Sequence, residues 1–105
     1  MSMKKAKLIW EEIKKNKNGF PEKQPESLEV YVSEKSVARQ EMYEAMRAGI
    51  EVKTILVVRS EEWEETRHIV EGKPEYARKV IYDDAIYDIV RSYKTGKATV
   101  ELTCG

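Results

Sequence analysis

The chain has few of the residues that many small proteins use for cross-links, metal binding or catalysis. It contains one cysteine, Cys104, and one histidine, His68, among 105 residues. A single cysteine excludes an intrachain disulfide, and one Cys with one His cannot supply the four ligands of a structural zinc site. Such cysteine usage fits a reducing cytoplasm best.

Long apolar runs are also missing. The apolar stretch at residues 6–10 is interrupted by Lys7 and is too short for a signal peptide or a membrane-spanning helix. We therefore expect a chain that is neither exported nor inserted into a membrane. Its length predicts one domain over residues 1–105, with a core large enough to hold the fold without disulfides or metals.

Net charge is zero, since 19 Lys and Arg residues balance 19 Asp and Glu residues. Proteins that hold nucleic acid firmly rely on a positive field to displace counterions from the phosphates. Sustained binding of DNA is therefore disfavoured, although a local basic patch remains possible. Charged residues make up 36% of the chain, against about 25% in an ordinary domain. They either keep a small domain soluble or form polar contacts with partners.

Motifs of catalysis are absent as well: no phosphate-binding G-x-x-x-x-G-K-[ST] loop, G-x-S-x-G elbow or G-x-G-x-x-G fingerprint occurs. His68 has no partner at a spacing that indicates a general base or a metal ligand. The acidic pair Asp83-Asp84 fits a β-turn better than a cation site, and the glutamates of residues 61–65 fit a solvated loop. We expect a protein that is not an enzyme and that uses no metal or cofactor.

Regular alternation of apolar and polar side chains is what the sequence does contain. Residues 75–104 alternate through three short runs, which are broken at Asp83-Asp84 and at Gly96. In the last run Val100, Leu102 and Cys104 share one face. A period of two predicts an antiparallel meander with one buried and one solvated face.

The spacing of apolar residues likewise divides the rest of the chain into strands and one helix. Residues 6–13 and 27–33 are predicted strands, separated by a loop at 16–25 that contains Asn, Gly and Pro. Residues 36–48 show helical spacing, with Ser36 as N-cap and Gly49 as the left-handed residue after the helix. Residues 50–59 read as a central strand because four consecutive residues, 55–58, are apolar.

Residues 60–75 are the least regular part, and they fit either a loop with a turn of helix or a short edge strand. The order of elements predicts a mainly β (α+β) fold. We expect a small antiparallel β-barrel or sandwich of about six strands, with one amphipathic helix inserted between strands 2 and 3.

The tyrosines of the meander allow a nucleic-acid-binding alternative. They are interleaved with basic residues, a mixture also seen on platforms that stack single-stranded bases. The residues concerned are Tyr76, Arg78, Lys79, Tyr82, Tyr87, Arg91, Tyr93 and Lys94. Cross-strand packing and a protein interface also explain them, and zero net charge favours that explanation.

Three stretches of the chain form a pattern in combination. They are residues 36–50, containing Ser-Val-Ala-Arg-Gln-Glu-Met-Tyr-Glu-Ala and Ala-Gly-Ile; residues 80–93, containing Val-Ile-Tyr-Asp and Tyr-Asp-Ile-Val-Arg-Ser-Tyr; and residues 100–104, Val-Glu-Leu-Thr-Cys. Together they resemble the head closure proteins of tailed phages and prophages, also called head-tail adaptors or stoppers. Their order and spacing agree over residues 5–105. The chain departs from the family pattern at Asp84-Ala85 and at Ala38, where glycines are common.

The resemblance implies a structural protein of the virion. Such a protein would form a ring, of six copies in phages with long tails, beneath the portal and its connector. The ring would close the DNA channel after packaging and give the tail completion or tail tube protein an attachment platform. Expected partners are other copies of the chain, the portal or connector, the tail, and packaged double-stranded DNA in transient contact. The expected location is the head-tail interface, reached from the host cytoplasm during assembly.

Two segments are candidates for these contacts. Residues 33–49 occupy the position where the family carries a channel-facing loop, and residues 61–74 are a candidate tail- or connector-facing loop. Candidate channel or subunit contacts in the first segment are Arg39, Gln40, Glu41, Tyr43 and Arg47. Candidates in the second are Glu61, Glu62, Trp63, Arg67 and His68.

Overall fold

Alternating side chains place most of the chain in strands. The computed structural model describes residues 3–105, and within that range it contains eight strands and two short helices. The elements are β1 (Lys4–Lys15), β2 (Pro21–Lys35), α1 (Arg39–Arg47), β3 (Thr54–Arg59), α2 (Ser60–Glu65), β4 (His68–Val70), β5 (Lys73–Glu75), β6 (Lys79–Tyr82), β7 (Ala85–Lys94) and β8 (Thr99–Cys104). Neither helix in this part of the chain is long and apolar enough to span a membrane.

Six of the strands close into an antiparallel barrel in the order β1-β2-β3-β8-β7-β6, and β4 and β5 form a separate hairpin. Helix α1 lies between β2 and β3 in the chain. The predicted fold class, a small antiparallel barrel or sandwich of about six strands with an inserted helix, is therefore confirmed, and the structure is the barrel. Closure pairs the sheet edges that an open sheet of this size would leave exposed.

The core consists of the side chains that alternation turns into the barrel. Leu56 of β3 pairs with Leu102 of β8, and both are completely buried. Each fully buried aliphatic side chain contributes roughly 1.5–3 kcal/mol through the hydrophobic effect. The core residues are Ala6, Leu8, Trp10, Val30, Val32, Leu56, Val58, Trp63, Ala77, Val80, Tyr82, Val100, Leu102 and Cys104.

Strand β3 is covered on both faces, as its apolar run predicts. Ile55 and Thr103 pair across β3 and β8 with their side chains outside the core cluster, yet both are buried. Ala45, Ile50 and Val52 lie beside Thr103 on this outer side. The segment that carries α1 therefore supplies a second layer over this part of the barrel.

The first hairpin is longer than expected. The predicted loop at 16–25 contracts to a turn at 16–20, because Asn16 Oδ1 accepts hydrogen bonds from the backbone N–H groups of Asn18 (2.9 Å) and Phe20 (3.1 Å). Strands β1 and β2 pair along their length from Lys4↔Val32 to Lys15↔Pro21, whereas β6 pairs with β1 only at residues 6–9. Residues 11–25 thus project beyond the barrel as a two-stranded hairpin, which we call the arm.

Helix α1 starts later than predicted. It begins at Arg39 after Ala38, which makes no side-chain capping bond, so Ser36 is not the N-cap. Its end agrees with the prediction, since Gly49 has a φ of +76°. Glycine adopts this left-handed conformation without the steric cost that a Cβ imposes.

The irregular stretch combines both predicted possibilities. Residues 60–65 form α2, and residues 68–75 form the β4–β5 hairpin, whose turn residues Glu71 and Gly72 have φ of 51° and 79°. The turn between β6 and β7 has the same form, with φ of 50° at Asp83 and 61° at Asp84. Positive φ at both central residues matches the right-handed twist of two-residue hairpins, and Asp tolerates it better than most residues.

Core packing gives a direct stability test. Replacing Leu102 by Ala should lower the free energy of unfolding by about 2–5 kcal/mol, because it removes buried methyl groups and leaves a cavity. Ile86→Ala is the control, since Ile86 is 66% exposed and its truncation should change stability by no more than about 0.5 kcal/mol. Urea denaturation measures both. Equal losses of unfolding free energy in the two variants would contradict the placement of Leu102 in the barrel core.

Candidate interaction surfaces

The segment that carries α1 is anchored at its two ends. Before the helix, Lys35 Nζ donates a hydrogen bond of 2.9 Å to Glu101 Oε1 of β8, and this bond raises the pKa of Lys35. After the helix, the N–H of Lys53 donates to the carbonyl of Cys104 at 2.8 Å. Both ends of the insertion are therefore fastened to β8.

The helix itself is weakly held by the barrel. Ala45 is its one buried residue, whereas Met42, Tyr43 and Met46 are 38%, 56% and 63% exposed. The predicted apolar face, which contains Met42, Ala45 and Met46, is thus mostly in solvent. An amphipathic helix normally turns such a face toward a core, so this face is available to a partner.

The polar candidates on α1 do not all lie together. Arg39, Gln40, Tyr43 and Arg47 are exposed and line one shallow surface depression with Glu44. Glu41 is half-buried and lies on the other side of the helix, near Ile50 and Arg91. The structure therefore brings four of the five predicted contact residues together and separates Glu41 from them.

The second candidate segment packs against the barrel instead of forming an open loop. Trp63, predicted as a contact on an exposed loop, is only 4% exposed and belongs to the core. Its ring stacks on Tyr76, with centroids 5.2 Å apart. The reason is that α2 follows β3 directly and turns its one large apolar side chain into the barrel. Trp63 is therefore not available for a contact with the tail or connector.

Thr66 fixes α2 in this position. The completely buried Thr66 Oγ1 donates to the carbonyl of Trp63 at 2.8 Å and accepts from the N–H of Ala77 at 3.0 Å. One hydroxyl thereby satisfies two buried backbone groups and connects α2 to the segment before β6. Sequence reasoning missed Thr66, because a single threonine after a run of glutamates carries no pattern.

The other candidates in this segment have different surroundings. Glu61 and Arg67 are exposed and Glu62 is half-buried. His68 is half-buried on β4, where its ring stacks on Trp10 with centroids 6.3 Å apart. Its Nδ1 donates to the carbonyl of Thr66 at 2.8 Å, which fixes the orientation of the ring. His68 therefore serves as a packing contact between the β4–β5 hairpin and the base of the arm.

The tyrosines of the meander do not form an exposed platform. Tyr82 is 5% exposed, and Tyr76 and Tyr87 pack against the core, which leaves Tyr93, at 53% exposed, as the one that projects into solvent. Burial raises the pKa of both Tyr76 and Tyr82. Stacking of successive bases needs several exposed rings along a groove, so this arrangement disfavours the nucleic-acid alternative.

Cys104 lies in the core at the end of β8 and is completely buried. Burial raises its thiol pKa to about 12, so the nucleophilic thiolate is scarce at neutral pH. Within residues 3–105, no group of three or more His, Cys, Asp or Glu side chains is arranged to hold a metal ion.

Searches against protein-family models, curated proteins and solved structures find no match for this chain.

Thr66 can be tested by an isosteric change. Thr66→Val should lower the free energy of unfolding by about 1–3 kcal/mol, because the N–H of Ala77 loses its acceptor inside the protein. Thr95→Val is the matched control: Thr95 is exposed, and its hydroxyl bonds Thr99 at 2.9 Å in solvent. Thermal or chemical denaturation compares the two. If the Thr66 variant were as stable as the control, the hydrogen bonds of the Thr66 hydroxyl would not stabilise the fold.

Proposed function

We propose that this protein is a head closure protein of a tailed phage or prophage, a structural ring subunit between the portal and the tail. The resemblance of residues 36–50, 80–93 and 100–104 to that family supports the proposal. So does the observed element order, in which a closed barrel carries a helical insertion between its second and third strands.

The observation that carries the proposal furthest is the exposed apolar side of α1 on an insertion fastened at both ends. A ring subunit needs a rigid frame and a segment that can change its contacts. The barrel supplies the frame, and the bonds at Lys35 and Lys53 hold the insertion in place. Since α1 buries only Ala45, it can move or gain contacts at little cost to the core.

Charge on the insertion suits brief contact with DNA. Residues 36–53 contain three basic side chains, Arg39, Arg47 and Lys53, and three acidic ones, Glu41, Glu44 and Glu51. Their balance gives no net attraction to phosphate, so DNA can pass without being retained. Arg39 and Arg47 remain able to contact single phosphates or acidic groups of a neighbouring subunit.

The role of the insertion is tested in particles. Replacing residues 36–49 by a Gly/Ser linker should leave the barrel folded but yield heads that lose their DNA, because the segment proposed to close the channel is gone. Nuclease-protected DNA per head measures retention, and circular dichroism of the isolated variant controls for folding. Heads that keep their DNA and join tails normally would show that residues 36–49 do not close the channel.

The exposed apolar side of α1 is tested by adding charge. Met46→Lys should weaken ring association about tenfold or more, because an ammonium group enters an apolar contact, while a lysine in the last turn preserves the helix. The control is Ile86→Lys, because Ile86 is 66% exposed and pairs with Ile81 of β6, at the end of β7 opposite to Arg91 and Tyr93, which lie near α1. Native mass spectrometry counts the copies. Unchanged rings in the Met46 variant would show that this side of α1 is not a subunit contact.

A further inference from the structure

The two edges of the arm differ in their capacity to add another strand. Pro21 and Pro25 of β2 lie opposite Lys15 and Glu11 of β1. A proline within a paired strand has no N–H to give to its partner, so its nitrogen faces the outer edge. The outer edge of β2 therefore lacks two donors, a common way of protecting a sheet edge.

The same proline positions show which groups face outward on β1. In an antiparallel ladder, residue pairs alternate between hydrogen-bonded and non-hydrogen-bonded. Since the proline pairs are of the second kind, the N–H and C=O groups of Glu11, Ile13 and Lys15 point away from β2. Strand β6 does not cover them: its pairing ends at Ile9, whose carbonyl accepts from the N–H of Arg78 at 3.0 Å. The β4–β5 hairpin lies beside this edge, where Val70 and Glu75 line a pocket with Glu11 and Ile13, but β4 pairs with β5 and not with β1. The arm thus has one edge blocked by prolines and one edge, called the open edge, whose backbone groups are unpaired.

The sequence of the open edge is complementary to itself. Residues 11–15 read Glu-Glu-Ile-Lys-Lys. When two copies of this strand run antiparallel about Ile13, Glu11 meets Lys15 of the other copy and Glu12 meets Lys14. Every acidic residue then faces a basic one, and the two isoleucines face each other. Opposite charges and apolar pairs directly across strands stabilise a ladder, whereas like charges destabilise it.

We propose that the open edge of β1 pairs with the same edge of a second copy, forming a two-fold dimer with a four-stranded sheet in the order β2-β1-β1-β2. Backbone groups of Glu11, Ile13 and Lys15 form the new ladder. The side chain of Ile13, which is 57% exposed in the single chain, becomes covered by its counterpart.

The charged side chains of residues 11–15 differ in whether they already have a polar partner within the chain. Glu12 accepts a hydrogen bond from Trp10 Nε1 at 2.8 Å, and Lys14 forms an ion pair with Glu26. Among residues 3–105, neither Glu11 nor Lys15 takes part in an ion pair. The Glu11–Lys15 pairs are therefore the new electrostatic contacts of the dimer, and they determine its register.

A pocket at the base of the arm fits this arrangement. It has a volume of about 340 Å³ and is lined mainly by apolar groups, including Ile9, Ile13 and Val70. The antiparallel register brings the tip of each arm beside the base of the other. Ile13 is part of this lining, so covering Ile13 in the dimer also covers part of the pocket wall.

This dimer is separate from the proposed ring. A two-fold contact uses the same surface on both copies and ends at two, whereas a ring requires two different surfaces on each copy. The dimer therefore does not depend on the head closure function, and it is a property of the free chain.

The test uses two single substitutions. Glu11→Lys places lysines 11 and 15 opposite each other, and Lys15→Glu places two glutamates opposite each other, so each variant alone should dimerise about tenfold or more weakly than the original chain. A 1:1 mixture restores attraction at both positions and should regain the dimer. Lys17→Glu, in the turn outside the register, controls for net charge. Sedimentation equilibrium at low salt measures the association, and added salt should weaken it.

Restored association in the mixture but not in either single variant is the expected result. A chain that is monomeric at all concentrations would show that these charges only protect a solvated edge, and would overturn the proposal. A dimer unaffected by either substitution would place the contact elsewhere and overturn it equally. All these positions are exposed, so folding of the variants is not at risk.

Discussion

Closure of the six-stranded sheet is the constraint on which the rest of the structure depends. The barrel is completed by two short seams, β2 with β3 over Ser33 to Lys35 and β1 with β6 over Ala6 to Ile9. These seams bring the N-terminal hairpin against the meander, and without them each sheet would expose unpaired backbone groups. Because the seams are short, only part of β1 and β2 belongs to the barrel, and the remainder projects as the arm.

The same seams determine where the functional candidates lie. The insertion begins directly after the β2–β3 seam and returns at Lys53, so both of its ends sit on the rigid frame beside β8. The arm begins directly after the β1–β6 seam, and the β4–β5 hairpin packs beside it through Trp10 and His68. One frame thus carries two protruding elements, a helix with an exposed apolar side and a hairpin with one open edge.

Substantial parts of this fold can be predicted from the sequence. The alternation of Val100, Leu102 and Cys104 predicts the buried face of β8, and the apolar run at 55–58 predicts a strand covered on both sides. Gly49 predicts the end of α1, and Asp83-Asp84 predicts the tight turn between β6 and β7. These features are local, because side-chain period and turn chemistry act within a few residues.

Each misreading has a physical cause. The prolines at 21 and 25 indicate a loop if they are read alone, but they fit a strand whose outer edge needs no donors. Trp63 looks like an exposed contact in a run of glutamates, but α2 turns it into the barrel, and Thr66 holds it there. For Trp63 the deciding contact joins Thr66 to Ala77, eleven residues away, and a local pattern carries no information about it. For the prolines the deciding feature is the Asn16 turn, which closes the hairpin and lets Pro21 and Pro25 pair with β1.

The sequence by itself determined the strand periods, the element order and the self-complementary charges of residues 11–15, because these depend on the order of side chains alone. Only the tertiary structure decided which of those patterns are buried. Closure of the barrel buried Trp63 and Tyr82, and it left Met46 of α1 and the open edge of β1 exposed. The physical reason is that burial depends on which surfaces meet, and strands distant in sequence must pair before any surface is covered.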